Sequence, residues 1–207
     1  MHRWRPTYEG PISIVVLADG SSEARRKLYK ALKKTPNIRR KALIHTIEQL
    51  PTEGRSPNLY LNLAKLFSRT SHVMLLPTYG QISNADDIYL TLTGKLRSMN
   101  QSQRLEPHLL GISNSSSSTS WIPPSLSPLL IEREHPIWCT ERFFTASREA
   151  DWQECVWQFW LYSYGTLPYI EANWEVSMKQ NRKHATKVDV SILISLFQCI
   201  NIISCRI

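Results

Sequence analysis

Two runs of this 207-residue sequence constrain its fold more than any other feature: Ile12-Ser-Ile-Val-Val-Leu-Ala18 and Val73-Met-Leu-Leu76. Both are apolar with little alternation, the pattern of strands covered on both faces. Between and after them lie helical patterns. Ser21 to Lys34 has a serine cap at Ser21 or Ser22, Glu23 at the positive end of the dipole, Lys33 and Lys34 at the negative end, and a stop at Pro36; its Ala24, Leu28, Ala31 and Leu32 are expected to face the sheet. Lys41 to Ile47 reads as a second strand. The Pro51–Pro57 loop then returns the chain to a helix whose Leu59, Leu63, Leu66 and Phe67 fall on one face. Strand–helix alternation of this kind predicts an α/β fold, a Rossmann-type, mostly parallel sheet flanked by helices. In such sheets ligands bind at the loops beyond the carboxyl ends of the strands, which directs attention to Pro77, Thr78 and Tyr79.

Further along, Ser83-Asn-Ala-Asp86 forms a capping box ahead of an Ile88, Leu92, Leu96 stripe, and capping and solvation account for the adjacent Asp86 and Asp87. His108–Ile112 is a short strand. Ser113 to Ser120, followed by Pro123, Pro124 and Pro128, is a Ser/Pro-rich insertion at 113–128 within one domain, because neither side of it carries a complete sheet. Leu129 resumes a strand that leads into His135-Pro-Ile-Trp-Cys-Thr-Glu-Arg-Phe-Phe144. Asp151-Trp-Gln-Glu154 is a second capping box, opening a helix that is apolar nearly all round and so expected to be deeply buried. Gly165 caps its end, and Leu167–Ile170 is the last strand of a domain spanning 1–175. Residues 176–207 form an atypical tail. Its apolar part, 188–207, is interrupted by Asp189, Gln198, Asn201 and Arg206, and is expected to be foreign to the fold.

The formal charge is +8, from 25 Lys and Arg against 17 Asp and Glu, but nine of the bases lie between Arg25 and Lys41. That local face suits an anionic partner or simply a solvated helix, and no nucleic-acid motif accompanies it, so no nucleic-acid partner is expected. Cys139, Cys155, Cys199 and Cys205 have no CxxC spacing, which suggests neither a zinc site nor a disulfide framework. The first ten residues lack the apolar core of a signal peptide, and no uninterrupted apolar run of eighteen residues follows, so no membrane span is expected.

Three pieces, in this order, resemble the LARGE-type glycosyltransferases: Gly10-Pro-Ile-Ser-Ile-Val-Val16, the Asn58-x-x-x-Asn62-Leu-Ala64 helix leading to Thr70-Ser-His-Val-Met-Leu-Leu76, and Trp138-Cys-Thr-Glu-Arg-Phe143. The resemblance implies a GT-A fold, a UDP-sugar donor, a glycan acceptor, and work in the Golgi or secretory pathway, where the family is held by an N-terminal anchor not evident here. It also implies Mn2+, held by an Asp-x-Asp pair after the strand that corresponds to Val73–Leu76. Here that place reads Pro77-Thr78-Tyr79, Leu61 replaces the arginine before the second Asn, Thr140 replaces an aspartate before Glu141, and His184 is a poor match to the late histidine motif, so no metal ligand is assigned. A divalent cation neutralises the leaving diphosphate in such transfers, and proline, threonine and tyrosine supply no carboxylate for it. Either basic groups and helix N-termini take over that role, or the protein is a catalytically inactive homologue that binds a glycan or a partner. On the resemblance, Glu141 is the candidate base or acceptor contact. Arg142, Asp19, Asn62, Pro77, Thr78 and Tyr79 are candidate substrate-binding residues. A buried Glu141–Arg142 ion pair, a turn-forming Asp19-Gly20 and a helix-capping Asn58 account for the same residues without a ligand.

Overall fold

The computed structural model describes residues 10–18, 20–33, 42–48, 57–76, 81–83, 85–111, 127–140, 148–172, 175–177 and 202–205. In chain order the elements are β1 (Ile12–Ala18), α1 (Ser22–Lys33), β2 (Ala42–Glu48), α2 (Pro57–Leu66), β3 (His72–Leu75), β4 (Gln81–Ser83), α3 (Ala85–Ser98), α4 (Gln101–Leu105), β5 (His108–Gly111), β6 (Leu129–Glu132), α5 (Arg148–Tyr162), β7 (Tyr169–Glu171), β8 (Glu175–Ser177) and β9 (Ile202–Cys205). Seven strands form one sheet in the order β2-β1-β9-β3-β6-β5-β7, and β4 and β8 form a separate antiparallel pair. The fold is α/β.

Alternation within the strands gives the sheet two buried faces. Val15, Val73 and Leu75 point to one side, where they meet Tyr60, Leu61 and Ala64 of α2 and Trp152, Val156 and Phe159 of α5. Ile14, Val16, Met74 and Leu76 point to the other, against Ile88, Leu92 and Leu96 of α3. Burial on both sides is why these strands read as continuous apolar runs, and the expected helical cover is present on each face. The expected parallelism is only partial. β2, β1, β3, β5 and β7 run one way, but β6 and β9 run against them, so β1–β2 and β5–β7 are the parallel pairs and the sheet is mixed.

The tail expectation fails at its last strand. Ile202–Cys205 lies between β1 and β3, pairing with Ile12 and Ser13 on one side and with His72 to Leu75 on the other. Of the Ser/Pro-rich insertion at 113–128, residues 113–126 lie outside the described residues, while the Ser127 carbonyl accepts from the Trp152 indole N–H at 3.1 Å and the Pro128 carbonyl from the Leu110 N–H at 2.9 Å. Ser83, expected to cap a helix, is instead paired with Glu175 in β4. α5 begins at Arg148 rather than at Asp151, and it is one-sided: Trp152, Cys155, Val156 and Phe159 are buried while Trp157, Leu161 and, just beyond the helix, Tyr164 are exposed. Gly165 ends it as expected, with φ +82 and its N–H donated to the Trp160 carbonyl. Among the described residues no helix is long and apolar enough to cross a membrane.

Candidate functional site: a polar clamp leading to Glu141

The α2 helix lies the opposite way round from the expectation. Leu59 and Leu66 are 52% and 54% exposed, and Phe67 stacks on His45 at the surface, 4.4 Å between ring centroids. Buried in their stead are Asn58, Asn62 and Lys65, polar residues at i, i+4 and i+7 that form one stripe. Buried polar groups must find partners. These find them in the backbone of the segment after β6. The Lys65 ammonium, 1% exposed, donates to the carbonyls of His135 at 2.7 Å and Ile137 at 3.1 Å, and sits 4.9 Å from the centroid of the Trp138 ring. Asn62 Nδ2 donates to the Cys139 carbonyl at 2.6 Å while its Oδ1 accepts the Cys139 N–H at 3.1 Å, closing the pairing a neighbouring strand would make. Asn58 Nδ2 donates to the carbonyls of Asp151 at 2.9 Å and Thr140 at 3.4 Å.

From the other side α5 holds the same segment. Gln158 donates to the Thr140 hydroxyl at 2.6 Å and accepts the Thr140 N–H at 3.2 Å, and Cys139 is joined by a disulfide to Cys155, both sulfurs belonging to buried residues. The cysteine reading is thereby corrected, since the sixteen-residue spacing carries no motif and only the fold brings the two together.

The direction of this segment follows from its anchors. Ser13, near the start of β1, donates to the Ala64 carbonyl, so the C-terminal end of α2 lies at the edge of the sheet where β1 and β3 begin. Arg133 N–H donates to the Ser71 carbonyl at that same edge. Asn58 lies six residues before Ala64 in α2, about 9 Å away at 1.5 Å per residue, toward the edge where the parallel strands end. Residues 135–140 therefore climb from Lys65 past Asn62 to Asn58. Thr140 is thereby held beside Asn58 in the first turn of α2, with residues 135–140 directed toward the edge where β1 and β3 end. Gly20 at this edge has φ +75, and a Cβ there would come within 3.2 Å of the Glu48 carboxylate, which Arg25 pairs at 2.7 Å.

Of the residues singled out from the sequence, Asn62 is described: it is buried and both ends of its amide are engaged by the Cys139 backbone. Asp19, Pro77, Thr78, Tyr79, Glu141 and Arg142 lie outside the described residues. Lys65 and Gln158 were not anticipated. A polar residue recurring with helical period on α2, Asn58-Asn62-Lys65, was the signal available for the first of them. Among the described residues no group of three or more His, Cys, Asp or Glu could hold a metal ion.

Burial sets the charges at the foot of the clamp. It lowers the Lys65 ammonium to about 8, with Glu134 opposing, and it lowers His135 to about 4, assisted by the positive charge of Lys65. The His135 ring packs against Phe159 and Tyr162, with ring centroids 5.1 and 5.0 Å away, and its Nδ1 accepts the Ile137 N–H at 3.2 Å, which requires the neutral form. As pH falls through 6.5 the unfolded chain binds a proton that the folded chain refuses until about 4, so stability declines across that interval. The urea midpoint is expected to fall from pH 6.5 to 4 by less in His135→Asn, which keeps an acceptor at the Nδ1 position, than in the parent; equal falls would remove His135 as the cause.

No family model matches this chain, and no curated protein or solved structure is significantly similar to it.

Proposed function

We propose that this chain is a glycosyltransferase-like domain of the LARGE type with a GT-A-like sheet, taking a UDP-sugar as donor and a glycan as acceptor. One observation supports the reading: β1 and β3, which lead into Asp19 and Pro77, run the same way and so end at one edge of the sheet, the edge where α/β folds bind nucleotides, and the segment that leads into Glu141 runs along α2 toward it. The clamp adds to it, because an extended segment fixed from two helices and by a disulfide is how a fold delivers a side chain in a set position.

In this reading the acceptor hydroxyl attacks the anomeric carbon of the donor, the bond to the diphosphate breaks, and the hydroxyl proton passes to Glu141. Arg142 meets the charge that develops on the departing diphosphate. Pro77-Thr78-Tyr79 does not fit the family's Mn2+, which needs carboxylate oxygens there, and no step is assigned to a metal. The same tripeptide favours the second reading, a homologue that has kept the fold and lost transfer, and now binds a glycan or a partner enzyme.

Titration calorimetry with UDP and with UDP-sugars, each with and without Mn2+, separates the two. Metal-independent UDP-sugar binding that Arg142→Ala weakens at least tenfold is expected for a transferase. Glycan binding without any nucleotide binding assigns the second reading and removes the first.

A further inference from the structure

We propose that Asn100 is an N-glycosylation site, an oligosaccharide acceptor built into the turn between α3 and α4. Asn100-Gln101-Ser102 is an Asn-x-Ser acceptor sequence, and all three residues are exposed. A tripeptide alone is a weak signal; the geometry here is more specific. Asn100 is the N-cap of α4, with an extended backbone (φ −71, ψ 172). Its Oδ1 accepts the Gln103 N–H at 2.9 Å and the Ser102 hydroxyl at 2.8 Å, while its own N–H is taken by Gln103 Oε1 at 3.1 Å. The hydroxyl two residues on thus already donates to the carboxamide oxygen of the acceptor, and all the bonds that build the cap run through Oδ1 and the backbone. Nδ2 carries none of them.

Modification is therefore compatible with the fold. In the transfer a bond forms between Nδ2 and C1 of the sugar, the bond from C1 to the diphosphate of a lipid-linked oligosaccharide breaks, the lipid diphosphate leaves, and the Nδ2 proton passes to the transferring enzyme. The product is still an amide, so Oδ1 keeps both of its hydrogen bonds and the helix cap survives. An independent observation supports the proposal: the buried Cys139–Cys155 disulfide is of the kind that persists in oxidising compartments, of which the secretory lumen, where such donors act, is one. None of this rests on the sugar-transfer reading above.

The test uses the full chain behind a cleavable secretory leader in eukaryotic cells. A second Asn-x-Ser, Asn114-Ser115-Ser116, lies outside the described residues and is removed by Asn114→Gln so that one acceptor remains. The secreted protein is expected to run as a slower band that collapses to a faster one on treatment with peptide N-glycosidase, with mass spectrometry finding Asn100 converted to Asp. Ser102→Thr is expected to keep the shift. Ser102→Ala, which leaves Asn100 and its cap with Gln103 in place, is expected to abolish it while the protein melts as before. A chain that is secreted with no glycosidase-sensitive band, or a shift that persists in Ser102→Ala, overturns the proposal.

Discussion

A chain truncated after Asn201 is expected to lose several kcal/mol of stability, a large share of the roughly 5–15 kcal/mol that holds a domain together, and its thermal transition should broaden or disappear. β9 pairs with four residues of β3 and two of β1 in the middle of the sheet. Removing it strips partners from backbone groups of buried strands, at about 1–3 kcal/mol for each group left unsatisfied. The size of the effect decides between two arrangements. β1 and β3 point the same way, so a sheet without β9 can close only if these two pair directly as parallel neighbours. An unchanged melting temperature would mean that they do, and that Ile202–Cys205 is dispensable. Differential scanning calorimetry of the truncated and full chains reads this directly.

That result runs against what the sequence implies for its own end, and the reason is physical. Over four residues a strand has no periodicity to detect, and the apolar stretch in which β9 sits is broken by Asn201 and Arg206. β1 and β3 were legible because burial on both faces demands apolar residues at nearly every position. Which face of α2 is buried was not legible. Leu59, Leu63, Leu66 and Phe67 form as good an apolar stripe as Leu61 and Ala64 with their polar neighbours, and the helix turns the polar stripe inward because the segment after β6 needs hydrogen-bond donors that no strand provides. A hydrophobic pattern counts apolar residues; it does not register a backbone elsewhere in the chain that must be satisfied. The same blindness hid the disulfide, whose cysteines meet only once α5 and residues 135–140 lie side by side. The packing of residues 135–140 was not legible either, because it rests on Asn58 and Asn62, which the sequence presents individually as a cap and a ligand.

Asn62 is where that packing is most exposed to a single substitution. In Asn62→Ala two hydrogen bonds disappear, each worth about 1 kcal/mol net, and the N–H and carbonyl of Cys139 remain buried with nothing to meet them, at about 1–3 kcal/mol apiece. The two orphaned groups set the expected loss, about 2–6 kcal/mol by urea denaturation. Asn62→Asp preserves shape and the acceptor for the Cys139 N–H, but sets a second oxygen against the Cys139 carbonyl and buries a carboxylate, so it should be no milder. Gln158→Ala supplies the contrast. It also contacts this segment, at Thr140, but through hydrogen bonds at the exposed surface, where water replaces them, and about 1 kcal/mol or less is expected. Because Asn62 and the disulfide restrain one residue, Cys139, their removals should not add: with Cys139→Ser and Cys155→Ser already in place, Asn62→Ala should cost less than it does alone. Additive losses would show that the amide and the disulfide stabilise the fold independently, and that Cys139 is not a shared anchor for the path to Glu141.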